Sequence, residues 1–131
     1  MRTIIVAVID DDVIYYLTLK ALINGLPFPA SVLHFSDGKE ACDFLLKNAS
    51  ASELLPDYIF LDIYMPRMDG WQFLKKFSEM GGILAKNSTI YINSSSSDKR
   101  IHKKALHHPL VKSFLKKPAT GSEIREILAL P

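Results

Sequence analysis

An intramolecular disulfide is excluded at the outset: Cys42 is the only cysteine among 131 residues, and neither CxxC nor Cys/His zinc spacing occurs. A non-disulfide, cytoplasmic protein is the simplest expectation, with Cys42 as ordinary helix filling. No stretch approaches the roughly 20 apolar residues that span a bilayer. Arg2 followed by the apolar run Ile4 to Ile9 has the look of a signal peptide, but it is short, stops at three aspartates and lacks a small-residue cleavage site. There is also no excess of one charge. Sixteen basic residues against fourteen acidic ones leave a formal +2, so bulk electrostatics makes neither nucleic acid nor membrane the expected partner. Function must come from a local site. A chain of this length with 48% hydrophobic residues fits one domain, residues 1–131, that buries roughly two thirds of its unfolded surface.

What is present is a repeated alternation of strand and helix patterns. Ile4 to Ile9 is a continuous β-branched run, the pattern of a central parallel strand covered on both faces. Tyr15, Leu19, Leu22, Ile23 and Leu26 recur at helical spacing, and Gly25 with Pro27 ends that helix. Ser31 to Phe35 predicts a second strand, and Asp37 with Glu40 a capping box for a helix carrying Ala41, Phe44 and Leu45. Tyr58 to Leu61 is the third strand, and Trp71, Leu74 and Phe77 mark the third helix. Thr89 to Ile92 follows as a strand, Asp98 to His107 as a weakly amphipathic basic helix resting on Ile101 and Ala105. Val111 to Leu115 is the fifth strand, and Thr120 with Glu123 caps a last helix with Ile124, Ile127 and Leu128 inward. Five βα units imply an α/β fold: a parallel sheet with right-handed crossovers and helices on both faces.

In open parallel sheets, ligands bind beyond the carboxyl ends of the strands. Four of those ends carry chemistry: Asp10-Asp11-Asp12, Asp62, Ser94 and Lys117. Converging carboxylates repel by about 4 kcal/mol for two charges 4 Å apart at an effective dielectric near 20, so a cation belongs among them. Oxygen-only ligands favour a hard ion, and magnesium binds through few carboxylates while keeping waters that a phosphate oxygen can replace. A lysine and a hydroxyl beside that ion make a cradle for a phosphoryl group, with Asp62 as the natural nucleophile.

VIDDD at 8–12, FLDIYMPRMDG at 60–70, INSS at 92–95 and FLKKP at 114–118 together resemble the motifs of bacterial response-regulator receiver domains, and the match covers essentially the whole chain. The resemblance implies a flavodoxin-like doubly wound sheet of five strands, order 2-1-3-4-5, with five helices. It further implies that Asp62 is the phosphoacceptor, that Asp11 and Asp62 bind Mg2+ with Asp10 joining directly or through water, and that Tyr64 contributes its backbone carbonyl. Ser94 corresponds to the switch hydroxyl, Phe114 to the aromatic switch, and Lys117 to the lysine that salt-bridges the phosphoryl group. Lys117-Pro118 resembles the family's cis peptide. Tyr64 and Ser96 stand where the family tunes the lifetime of the phosphorylated state. The implied partners are a sensor histidine kinase or phosphotransfer protein and a downstream protein target, bound by a monomer or weak dimer. No output domain follows in this sequence, so the chain resembles stand-alone receivers. It would catalyse its own phosphorylation and slow dephosphorylation while acting primarily in signalling.

Blander readings apply elsewhere. Asp12 is placed to cap the first helix, Asp69 to cap or turn, and Pro66 and Gly70 to let the loop after Asp62 turn sharply. Lys116 and Lys117 point to opposite faces if the strand continues, so only one faces the site, and proline adjacency with the motif favours Lys117. Lys99, Arg100, Lys103 and Lys104 read as a solvated face, with docking of an acidic partner or nucleic acid the lesser reading. His102, His107 and His108 lack zinc-spaced companions, and His34 reads as a sheet residue. Two rivals remain to be weighed: a receiver-like interaction module that is not phosphorylated, and a haloacid-dehalogenase-type phosphatase using Asp10 and Asp12. The second needs a late acidic metal site, and only Glu123 and Glu126 follow Asp98.

Overall fold

A computed structural model describes residues 2–129; Met1, Leu130 and Pro131 of the expected domain lie outside the described residues. Strands and helices alternate: β1 (Ile4–Ile9), α1 (Val13–Asn24), β2 (Ala30–Phe35), α2 (Gly38–Lys47), β3 (Tyr58–Leu61), α3 (Gly70–Met80), β4 (Thr89–Ser94), α4 (Lys99–His107), β5 (Val111–Lys116) and α5 (Gly121–Ala129). The strands form one parallel sheet in the order β2-β1-β3-β4-β5, the flavodoxin-like arrangement that the resemblance implies.

The unbroken apolar runs are explained by cores on both faces. Along β1, Val6 and Val8 point to the side covered by Tyr15, Leu19 and Ile23 of α1 and Ile124 and Leu128 of α5. Ala7 and Ile9 point to the other side, where Leu45 of α2 and Phe73, Leu74 and Phe77 of α3 pack. β3 divides likewise, with Phe60 facing one core and Ile59 and Leu61 the other. Each fully buried side chain of this size stabilises the fold by about 1.5–3 kcal/mol relative to exposure, so the central strands anchor everything attached to their ends.

Caps set where the helices begin. Asp12, Asp37, Asp69 and Asp98 each accept a backbone N–H at the start of α1, α2, α3 and α4. Thr120 and Glu123 exchange both hydrogen bonds of a capping box before α5, as expected. The expected box at α2 is incomplete: Glu40 accepts from the Ser36 N–H, while Arg67 from the loop after β3 donates to Asp37 at 2.7 Å. β4 runs two residues beyond Ile92, to Ser94, and β5 one beyond Leu115, to Lys116. Ladder pairing of Asn93 with Leu115 and of Ser94 with Lys116 extends both strands to the edge of the site.

Candidate functional site

The ladder hydrogen bonds at the carboxyl edge bring the chemically loaded residues together. Asp10 N donates to Phe35 O, Asp62 N to Ile9 O, and Lys117 N to Ser94 O, each at 2.9 Å. Adjacent strand ends therefore deliver Asp10, Asp62, Ser94 and Lys117 to one crevice. Carboxylate oxygens of Asp10, Asp11 and Asp62 all lie within 4.8 Å of one another. Asp10 and Asp62 are buried, whereas Asp11 is exposed at the mouth.

Lys117 is the nearest counter-charge, and it is unevenly shared. Its Nζ lies 2.7 Å from Asp10 Oδ2 and 3.6 Å from Asp62 Oδ2. Asp10 also accepts the Asp12 N–H through its other oxygen, so both of its oxygens are engaged. Asp62 has the Ile63 N–H on one oxygen and only the more distant lysine on the other. Burial, reinforced by the neighbouring Asp10 charge, pushes the Asp62 carboxyl up to about 6 against the opposing pull of Lys117. For Lys117, burial alone would lower the pKa, but the hydrogen bond and charge of Asp10 and the charge of Asp62 carry it upward. Three carboxylates and one ammonium leave a local surplus of negative charge, which fits a hard divalent cation held by oxygen.

The loop after β3 is shaped around this cluster. A Cβ at Gly70 would sit 2.4 Å from the Asp62 carbonyl oxygen, so close approach demands glycine there. Sharp turning falls instead to Arg67, the one non-glycine residue with positive φ among the described residues, at 60°. Its guanidinium, through Asp37, ties the loop to the start of α2. Tyr64, whose backbone carbonyl the resemblance names as a ligand, lies in this loop with an exposed side chain.

Ser94 closes β4, buried, with its hydroxyl accepting the Ser96 N–H at 3.2 Å. Ser95 is exposed. Lys116 points away from the cluster, and its ammonium donates to Ser95 O at 2.7 Å and Ser97 Oγ at 2.6 Å. Phe114, opposite Ile92 in the ladder, packs against the His102 ring with centroids 4.0 Å apart. His102 Nε2 lies 2.9 Å from the Ser96 carbonyl and so carries the proton. The Lys117-Pro118 peptide is cis.

Sequence reasoning did not single out Asn93 or the Tyr15 hydroxyl, which join beneath Lys117 in a buried hydrogen bond. An asparagine inside an otherwise apolar strand was the available signal, since a buried amide requires partners.

The family model for the response regulator receiver domain matches residues 6–129. The chain belongs to the response regulator receiver family. This receiver domain is 31% identical over 130 residues to protein-glutamate methylesterase/protein-glutamine glutaminase 3 of Geobacter sulfurreducens, covering 99% of this chain and 32% of that protein. It thus spans about a third of that relative's length. The solved structure of a two-component response regulator from Cytophaga hutchinsonii superposes with a TM-score of 0.85 at 25% identity, covering 98% of this chain and 96% of that one. The CheX-CheY-BeF3-Mg2+ complex from Borrelia burgdorferi shares the fold, with a TM-score of 0.75, 24% identity, and coverage of 95% and 86%. The receiver domain is a phosphoacceptor signalling module. Receiver domains generally use magnesium at an acidic site, take phosphoryl groups from kinases or phosphotransfer proteins, and here the aspartate cluster is present. No helix among the described residues is long and apolar enough to cross a membrane.

Proposed function

We propose that Asp62 accepts a phosphoryl group from a phosphohistidine of a sensor kinase or phosphotransfer protein. The observation carrying this reading is the unequal treatment of two buried carboxylates: Asp10 has partners on both oxygens, while Asp62 keeps one oxygen weakly neutralised toward Lys117. An Asp62 oxygen attacks phosphorus, the phosphorus–nitrogen bond of the donor breaks, and the imidazole leaves with its electron pair; the product is an acyl phosphate. Lys117 is close enough to both Asp10 and Asp62 to shift toward the new phosphoryl oxygens. Asp11 and Asp62, with Asp10 directly or through water and the Tyr64 carbonyl, would hold Mg2+, which supplies positive charge against the phosphoryl oxygens. Asp10 is a poor nucleophile with both oxygens occupied, and Asp12 serves as a cap, which weighs against a dehalogenase-type phosphatase.

Ser94 is the hydroxyl that would bind the phosphoryl group, giving up the Ser96 N–H as it does so. Phe114 would then rotate from under His102, altering the face of α4, β5 and α5 offered to a downstream protein. Residues 1–131 act as one receiver unit, monomeric or weakly dimeric. A cytoplasmic setting suits the free Cys42, whose thiol burial pushes up to about 11 and so keeps unreactive. Treating the chain with acetyl phosphate and magnesium should add the mass of one phosphoryl group, and Asp62→Asn should abolish the addition. An unchanged wild-type mass would overturn the reading in favour of an interaction module that is not phosphorylated.

A further inference from the structure

The ammonium of Lys117 lies 4.9 Å from the centroid of the Tyr15 ring, and that ring is part of the core between the sheet and α1. Tyr15 belongs to α1, the helix that starts directly after the aspartates, so one element connects the acidic cluster to the lysine that balances it. The Tyr15 hydroxyl is fully used: it donates to Asn93 Oδ1 and accepts the Ala119 N–H at 3.2 Å. Asn93 Nδ2 in turn donates to the Leu115 carbonyl at 3.2 Å. Leu115 and Ala119 stand two residues to either side of Lys117, and all four members of this chain of hydrogen bonds are buried. The backbone carrying the lysine is therefore clamped on both flanks by one side-chain pair.

We infer that Tyr15, assisted by Asn93, is a positioning residue for Lys117, its ring flooring the ammonium and its hydroxyl fixing the chain on both sides of it. The inference rests on the reading that Lys117 neutralises the phosphoryl group. A long flexible lysine could otherwise settle entirely on Asp10; the ring confines it to the space between Asp10 and Asp62. The interaction needs no charge on tyrosine, and burial raises the phenol pKa, so the hydroxyl remains a donor at neutral pH. Pre-placement of a transition-state cation matters because small displacements cost large factors in rate.

Two measurements on the full chain test it. In NMR spectra, the Lys117 ε-methylene protons should be shifted upfield by the Tyr15 ring current. The shift should survive in Tyr15→Phe and disappear in Tyr15→Leu; ordinary lysine shifts in the wild type would overturn the inference. That signature does not depend on phosphorylation, so it stands apart from the acetyl phosphate test of Asp62. Second, phosphorylation by acetyl phosphate should slow about ten- to a hundredfold in Tyr15→Leu. It should slow only several-fold in Tyr15→Phe. Magnesium affinity, read by isothermal titration calorimetry, should not change. In a Lys117→Ala background Tyr15→Leu should bring no further slowing. Equal slowing in both backgrounds, or a matching loss of magnesium affinity, would show that Tyr15 acts on the fold at large and not through the lysine.

Discussion

Two aspartates flank the four-residue strand β3, and they have been treated in opposite ways. Asp57, at the amino end, accepts the Ile5 N–H at 2.8 Å and pairs with Arg2 at 2.9 Å and Lys86 at 3.3 Å. Asp62, at the carboxyl end, faces two further carboxylates and shares one lysine with Asp10. Their side chains are similarly screened from water, 13% and 10% exposed, so solvent access alone does not separate them. Partners do. Burial would raise Asp57, but the Ile5 amide, Arg2 and Lys86 outweigh it and hold its carboxyl below the usual range. Asp62 is pushed up to about 6. One end of the strand is a finished structural tie, and the other holds unneutralised charge that a cation and a phosphoryl group can use. Cavity size points the other way: the cavity of about 650 Å³ lined by Arg2, Ile5, Leu33, Phe44 and Lys86 lies at the Asp57 end. Reactive charge, and not volume, marks the candidate site in this molecule.

The sharpest way to break the comparison is Asp57→Ala, which leaves Lys86 half-enclosed without its carboxylate and frees the Ile5 amide. Urea unfolding should show a loss of about 3 kcal/mol, with phosphorylation of the folded protein intact. Magnesium at a hundred times its dissociation constant should stabilise the wild type by about 2.7 kcal/mol in the same assay. That gain should persist in Asp57→Ala and largely vanish in Asp62→Asn, since only the second variant alters the cluster.

Asp62→Asn itself should stabilise the metal-free protein at pH 7, by on the order of 2 kcal/mol. The sign follows from the proton balance. The unfolded chain releases the Asp62 proton near pH 4 and the folded chain near about 6, so stability falls as pH rises through that window. Asp57 has the opposite sense: its contribution is complete above about pH 4 and is lost as pH falls through its depressed folded value. Stability curves against pH should therefore lose their decline between pH 4 and 6 in Asp62→Asn, and lose part of their acid-side fall in Asp57→Ala. The smallest effect belongs to an ion pair at neither end. Lys39 and Asp43, both more than half exposed, should tolerate Lys39→Ala within about 0.5 kcal/mol.

The cluster was readable because each reactive residue follows a run whose apolar period identifies a buried strand. Asp10 after Ile4 to Ile9 and Asp62 after Tyr58 to Leu61 are acids where a chain leaves the core, and four such ends imply convergence. α4 was harder to read for a related reason. α3 buries Phe73, Leu74, Phe77 and Met80, whereas α4 fully buries only Ala105. Much of its attachment comes from elsewhere: His102 against Phe114 of β5, and Lys104 over the Trp71 ring of α3 at 4.4 Å. Such contacts leave no period in the sequence. Glu40 shows the same limit, because the cap it was expected to complete is shared with Arg67, thirty residues away.

By itself the sequence determined the strand and helix alternation, the aspartates and lysine at the strand ends and most of the caps, because these depend on local period and on residues a few positions apart. Only the tertiary structure decided which carboxylate keeps a weakly neutralised oxygen, where the neighbouring Lys116 ammonium is held instead, and that Tyr15 reaches Asn93 across 78 residues. Those outcomes turn on distances between groups from different strands, and an electrostatic balance set at 2.7 against 3.6 Å has no counterpart in residue order.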